Sequence, residues 1–151
     1  MKLSLIALMC LALAACEGQG VVSPLEAAQE PALAASQRTV QLNQPFELRV
    51  GETVAVSGEP LTVKLESVPS DSRCPTGVNC VWAGNAVVRV TLSSPGVAPQ
   101  TFELNTTLDP KSATYGAYTI DFTALAPYPS STNPIAQSKY RATFVVSKTA
   151  V

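Results

Sequence analysis

Between Arg38 and Val151, apolar side chains recur at every second position in short runs broken by Gly, Pro and Asn. Period two is the spacing of residues that share one face of a β-strand. The first runs, Thr39–Asn43, Phe46–Val50 and Thr53–Ser57, are divided by Gln44-Pro45 and Gly51-Glu52. After the turn Gly58-Glu59-Pro60, Leu61, Val63 and Leu65 share a face. Phe102, Leu104 and Thr106 form an inward row against Thr101, Glu103 and Asn105; Tyr118, Ile120 and Phe122 form another. In the final run Tyr140, Ala142, Phe144 and Val146 oppose Arg141, Thr143, Val145 and Ser147.

About seven to eight strands at this spacing, with no helical repeat, predict an all-β chain. The architecture expected is a small antiparallel β-sandwich of Ig-like type, with a β-barrel as the alternative. A segment of this length buries roughly two thirds of its surface, enough for one core.

The N-terminus is of another kind. Lys2 is followed by an apolar run, Leu3 to Ala15, too short to span a bilayer and suited to a secretory h-region. It ends in Leu13-Ala14-Ala15-Cys16, which resembles the lipobox of bacterial lipoproteins. That resemblance implies cleavage before Cys16 and lipidation of its thiol, with the membrane as a partner through the attached lipid. Two or three acyl chains anchor stably where one is marginal. Glu17, in place of the Asp that often retains proteobacterial lipoproteins in the inner membrane, favours the outer membrane in an organism that has one. Residues 1–15 are thus read as signal peptide, 16–37 as the lipidated Cys and a flexible tether, and 38–151 as the folded domain. The tether mixes Gly, Pro, Ala, Gln and Glu, and some twenty such residues reach roughly 25 Å.

Four cysteines then reduce to two. Cys10 leaves with the leader and Cys16 is spent on lipid, so Cys74 and Cys80 are expected to bond in an exported, oxidising compartment. Closing so short a ring contributes on the order of 2–3 kcal/mol in the chain-entropy model. Both lie in the turn-rich segment Asp71–Gly84, so they staple a loop and cannot pin two sheets together. Within it Asp71 suits an Asx-type turn, and Arg73 suits a partner in Asp71 or a carbonyl end. Trp82 shares the parity of Cys80, Ala86, Val88, Val90 and Leu92, which places it in the core. Exposed beside the ring, it would instead be a binding anchor. Gly84-Asn85 suggests a bulge there.

Function classes fall away one after another. The chain has no His, which removes Ser-His-Asp and Cys-His chemistry and imidazole metal ligation. Carboxylates are dispersed singly, Ser-x-x-Lys is absent, and no Gly-rich phosphate loop occurs. Loss of Lys2 with the leader leaves 9 basic against 11 acidic side chains, a net charge of −2, without a basic run. Nucleic acid is therefore not an expected partner. No metal, no cofactor and no catalysis are expected.

The string Asp-Ser-Arg-Cys-Pro-x-x-Val-x-Cys-Val-Trp-Ala-Gly, here Asp71–Gly84, resembles the signature box of a family of small, uncharacterised bacterial lipoproteins and secreted proteins. Pro127–Ser131 and the final strand Tyr140–Val146 also resemble that family. The likeness implies an envelope β-domain and no particular activity. The resulting expectation is a membrane-anchored, non-catalytic binding or structural module of the bacterial cell envelope. It meets an envelope protein through Thr76, Val78, Asn79 and Trp82. The alternative is an inhibitor of an envelope or secreted hydrolase that inserts the Cys74–Cys80 loop. The long connection Ala126–Ser138, with its three prolines, is read as an extended crossover capping one end of the sandwich.

Overall fold

The computed structural model describes residues 37–149. The segment read as signal peptide, Cys16, and all but the last residue of the expected tether lie outside them. Within them the chain forms two open sheets face to face, so the sandwich holds and the barrel does not. One sheet contains β1 (Thr39–Val40), β3 (Thr53–Val56), β4 (Thr62–Asp71), β5 (Ala86–Ser94) and β6 (Val97–Asn105), in the order β1-β3-β4-β5-β6. The other contains β2 (Phe46–Arg49), β7 (Ser112–Tyr115), β8 (Tyr118–Ala126) and β9 (Arg141–Lys148), in the order β2-β9-β8-β7. All pairs are antiparallel except β1 with β3.

The alternating rows meet between the sheets. Val63, Leu65, Val88, Val90, Leu92 and Leu104 of the first sheet are fully buried against Leu48, Ile120, Ala142, Phe144 and Val146 of the second. Phe144 is central, with ring centroids 6.2 Å from Phe46 and 5.5 Å from Phe122. Each such side chain contributes about 1.5–3 kcal/mol of apolar burial, the main force holding the sheets together.

Three sequence expectations need correction. Trp82 is outside the core, with 82% of its surface exposed. Its parity with β5 is irrelevant, because that strand begins only at Ala86 and Cys80–Asn85 lies outside the ladder. The first run pairs only at Thr39–Val40, since Asn43 turns the backbone at φ 58°. Ser112–Tyr115 adds an edge strand too short and polar to announce itself.

One end of the sandwich carries the long connections. There β2, β4 and β8 finish, β5 and β9 begin, and the segments between Asp71 and Ala86 and between Ala126 and Arg141 face each other. Strand β4 outruns its neighbour β3, whose pairing stops at Lys64, and two register shifts bend the remainder. The open edge is closed by a side chain. Gln137, in a single 3-10 turn (Gln137–Lys139), accepts the Val68 N–H at 2.9 Å and donates to the Val68 carbonyl at 2.7 Å. An amide thus replaces a missing strand, and the proline-rich crossover caps this end as expected.

Candidate functional site

Arg73 ties the two connections together. Asp71, the last residue of β4, accepts the Arg73 backbone N–H at 3.2 Å and its Nε at 2.8 Å on Oδ1. Its Oδ2 accepts Arg73 Nη2 at 2.6 Å and the Tyr140 hydroxyl at 3.0 Å. This is the Asx turn expected from the sequence, and the guanidinium then reaches across the sandwich. Nη1 donates to the Leu125 carbonyl at 2.7 Å and Nη2 to the Pro127 carbonyl at 2.9 Å. The ring of Tyr128 lies 5.1 Å from the guanidinium carbon, within cation–π range. Both charged side chains are nearly sealed, at 6% and 8% exposure. Arg alone offers this planar fork of donors; Lys has the charge without the geometry.

The electrostatics follow from the bonding. Burial by itself pushes the Asp71 carboxyl upward, but the Arg73 side-chain and backbone bonds, the Tyr140 hydroxyl and the Arg73 charge together hold it below the ordinary value. Tyr140, buried and donating to that carboxylate, is pushed up to about 12. Each shift stabilises the fold over a definite range. Between its folded and unfolded values Asp71 binds more protons in the unfolded chain, so its contribution is complete above the unfolded value and fades as acid titrates the folded one. Tyr140 contributes fully below its unfolded value, near 10, and loses that contribution as pH rises through its folded value. We expect the urea midpoint to fall below about pH 4 and again above about pH 10. Asp71→Asn should flatten the acid limb relative to the native chain, and Tyr140→Phe the alkaline one. Unchanged limbs would remove these two groups as the cause.

Beyond this latch the Asp71–Ala86 segment continues as a narrow hairpin. Ser72 N–H donates to Asn85 O at 2.8 Å and Cys74 N–H to Ala83 O at 3.0 Å. Asn85 also anchors outward, with Nδ2 to Asn105 Oδ1 at 2.8 Å and Oδ1 accepting Thr107 N–H at 3.0 Å. Cys74 and Cys80 are bonded, Cα to Cα 5.9 Å, closing a ring at the tip. The ring is also docked on the crossover, because Thr76 N–H donates to Pro129 O at 2.9 Å.

All four residues singled out from the sequence sit on this loop, and all are exposed: Thr76, Val78, Asn79 and Trp82. Val81 was not among them. It is 90% exposed and stands beside Trp82, so an apolar pair projects between Cys80 and Ala83. Alternation sends one of two adjacent residues inward, and only the loss of the ladder sends both out. A groove of about 420 Å³ runs beside the loop between the end of β4 and Ser131–Ile135, with Arg73 and Tyr140 at its floor. No group of three or more Cys, Asp or Glu among the described residues is arranged to hold a metal.

No family model, curated protein or solved structure matches this chain.

Proposed function

We propose that this chain is a lipid-anchored protein of the bacterial envelope whose β-sandwich is a non-catalytic binding module. Cys16 carries the anchor, 16–37 the tether, and the Cys74–Cys80 loop meets a protein partner. The observation that carries the reading is the exposure of Val81 and Trp82 on a loop whose base is fixed. Large apolar residues on a mobile strap lose entropy when they bind. Here the disulfide, the Thr76–Pro129 bond and the Arg73 latch have already restricted the chain, so less is lost on association. Trp is the residue most enriched among binding hot spots.

Two experiments test it. Radiolabelled palmitate should enter the native chain and fail to enter Cys16→Ser; equal labelling removes the anchor. Capture from envelope extract should identify a partner that Trp82→Ala retains at least 30-fold more weakly, the loss typical of a hot spot. The same substitution should change folding stability by less than about 0.5 kcal/mol, because the side chain packs little of its surface. A partner held equally by both chains moves the site off the loop. The second reading, hydrolase inhibition, is favoured by the exposure of the whole ring segment Thr76–Asn79. It predicts inhibition of a secreted hydrolase by the native chain at micromolar concentration, and a panel without inhibition ends it.

A further inference from the structure

Nine Lys and Arg residues lie among the described residues, and five of them, Arg38, Lys64, Arg73, Arg89 and Lys148, form ion pairs. Of the remaining four, three gather in one place. Arg49, Lys139 and Arg141 line a groove of about 370 Å³ with Ala126, Pro127 and Ser138. They come from the end of β2, the 3-10 turn and the start of β9, so the cluster is invisible as a run in the sequence. Arg49 and Arg141 are directly opposite each other across the β2–β9 ladder. Like charges in that position repel, and among the described residues no acid forms an ion pair with either. Glu52 spends one carboxylate oxygen on Arg38 and the other on the Arg49 backbone N–H. Glu47, two residues along β2, makes no ion pair among the described residues.

The Glu52 bonds also locate the chain's entry. Arg38 reaches both Glu52 Oε1 at 2.6 Å and Glu47 O at 3.0 Å. The segment leading in from residue 37 therefore joins the domain beside the groove. On the lipid-anchored reading, which this inference rests on, about twenty residues separate that point from the acyl chains. The groove is then kept within roughly 25 Å of the bilayer, the reach of such a tether. We propose that Arg49, Lys139 and Arg141 form a phosphate-binding site that seats the domain on the headgroups of an anionic membrane. Paired guanidinium groups match the oxygens of a phosphodiester, and a basic patch beside an acyl anchor makes a second membrane signal.

The test uses the full chain with Cys16→Ser, so that no acyl chain contributes, with and without Arg49→Gln, Lys139→Gln and Arg141→Gln. Co-sedimentation is measured on vesicles of phosphatidylcholine alone and with added phosphatidylglycerol. Inorganic phosphate is titrated separately against the arginine side-chain N–H signals in NMR. The native groove should favour anionic over neutral vesicles on the order of 100-fold at low salt, about fivefold for each of three cations. The triple-Gln chain should lose that preference while keeping its urea midpoint. Equal preference in both chains overturns the site. Groove-dependent binding of inorganic phosphate with no vesicle preference overturns the bilayer as its source. Neither chain carries an acyl group, so a failure of palmitate labelling would remove the anchor without altering this comparison.

Discussion

Arg73→Ala should lower the stability of the fold by roughly 3–5 kcal/mol, the cost of leaving a buried charge without its partner. Three losses coincide. Asp71 keeps its carboxylate in a nearly sealed site with only the Tyr140 hydroxyl left as a side-chain donor. The carbonyls of Leu125 and Pro127 lose the guanidinium that joins the second sheet to the loop. The face of Tyr128 loses its cation. Set against a total of about 5–15 kcal/mol for a domain, this is a large fraction. The double change Asp71→Ala/Arg73→Ala should cost less than the sum of its single changes, because it leaves no unpaired charge. Arg73→Lys should not restore the native midpoint, since one ammonium cannot serve two carbonyls and both carboxylate oxygens at once. Urea midpoints of the four variants decide the matter. An Arg73→Ala loss below about 1 kcal/mol, the range of exposed pairs, would mean that this latch holds nothing.

The Asp71–Arg73 half of that latch was legible in the sequence, and the other half was not. An Asx turn is local, so its two-residue spacing is written in the chain. Leu125 and Pro127 lie 52 and 54 residues away, and a carbonyl acceptor has no side-chain signature. The sandwich was legible for a similar reason. Leu61, Val63 and Leu65, or Ala142, Phe144 and Val146, alternate because one face of each strand is buried. Neighbours across a sheet leave no such mark, so the order β2-β9-β8-β7 and the parallel β1–β3 pair could only be seen in the structure. Trp82 shows where the pattern misleads. Period two has meaning only while the ladder continues, and between Cys80 and Asn85 it is interrupted. The basic groove was hidden for the converse reason, because residues far apart in sequence become neighbours only through the β2–β9 register.

The interruption itself depends on Gly84, and Gly84→Ala should be nearly as damaging as the loss of Arg73. Its φ of +73° lies in the left-handed region, which costs a residue with a Cβ about 1–2 kcal/mol. Space is the greater obstacle. A Cβ built there would lie 1.9 Å from the Ser72 carbonyl oxygen, 2.6 Å from its carbon and 2.8 Å from Arg73 Cα. All three are backbone atoms, so no rotamer change relieves the contact and the hairpin must open. Opening it strains the Ser72–Asn85 and Cys74–Ala83 bonds that flank Gly84, and draws Arg73 away from its carbonyls. The combined expectation is roughly 2–5 kcal/mol, the left-handed strain plus an overpacking term of about 1–3 kcal/mol. Gly77→Ala separates the two contributions. Gly77 also has a positive φ, +80°, but nothing lies within 4 Å of the position its Cβ would take, so it should cost only the strain, about 1–2 kcal/mol. A Gly84→Ala midpoint no lower than that of Gly77→Ala would show that the close approach to Ser72 is not what shapes the loop. The expected order, with Gly84→Ala also disturbing partner capture through Trp82 while Gly77→Ala leaves Trp82 in place, would make this contact the element that sets where the apolar pair points.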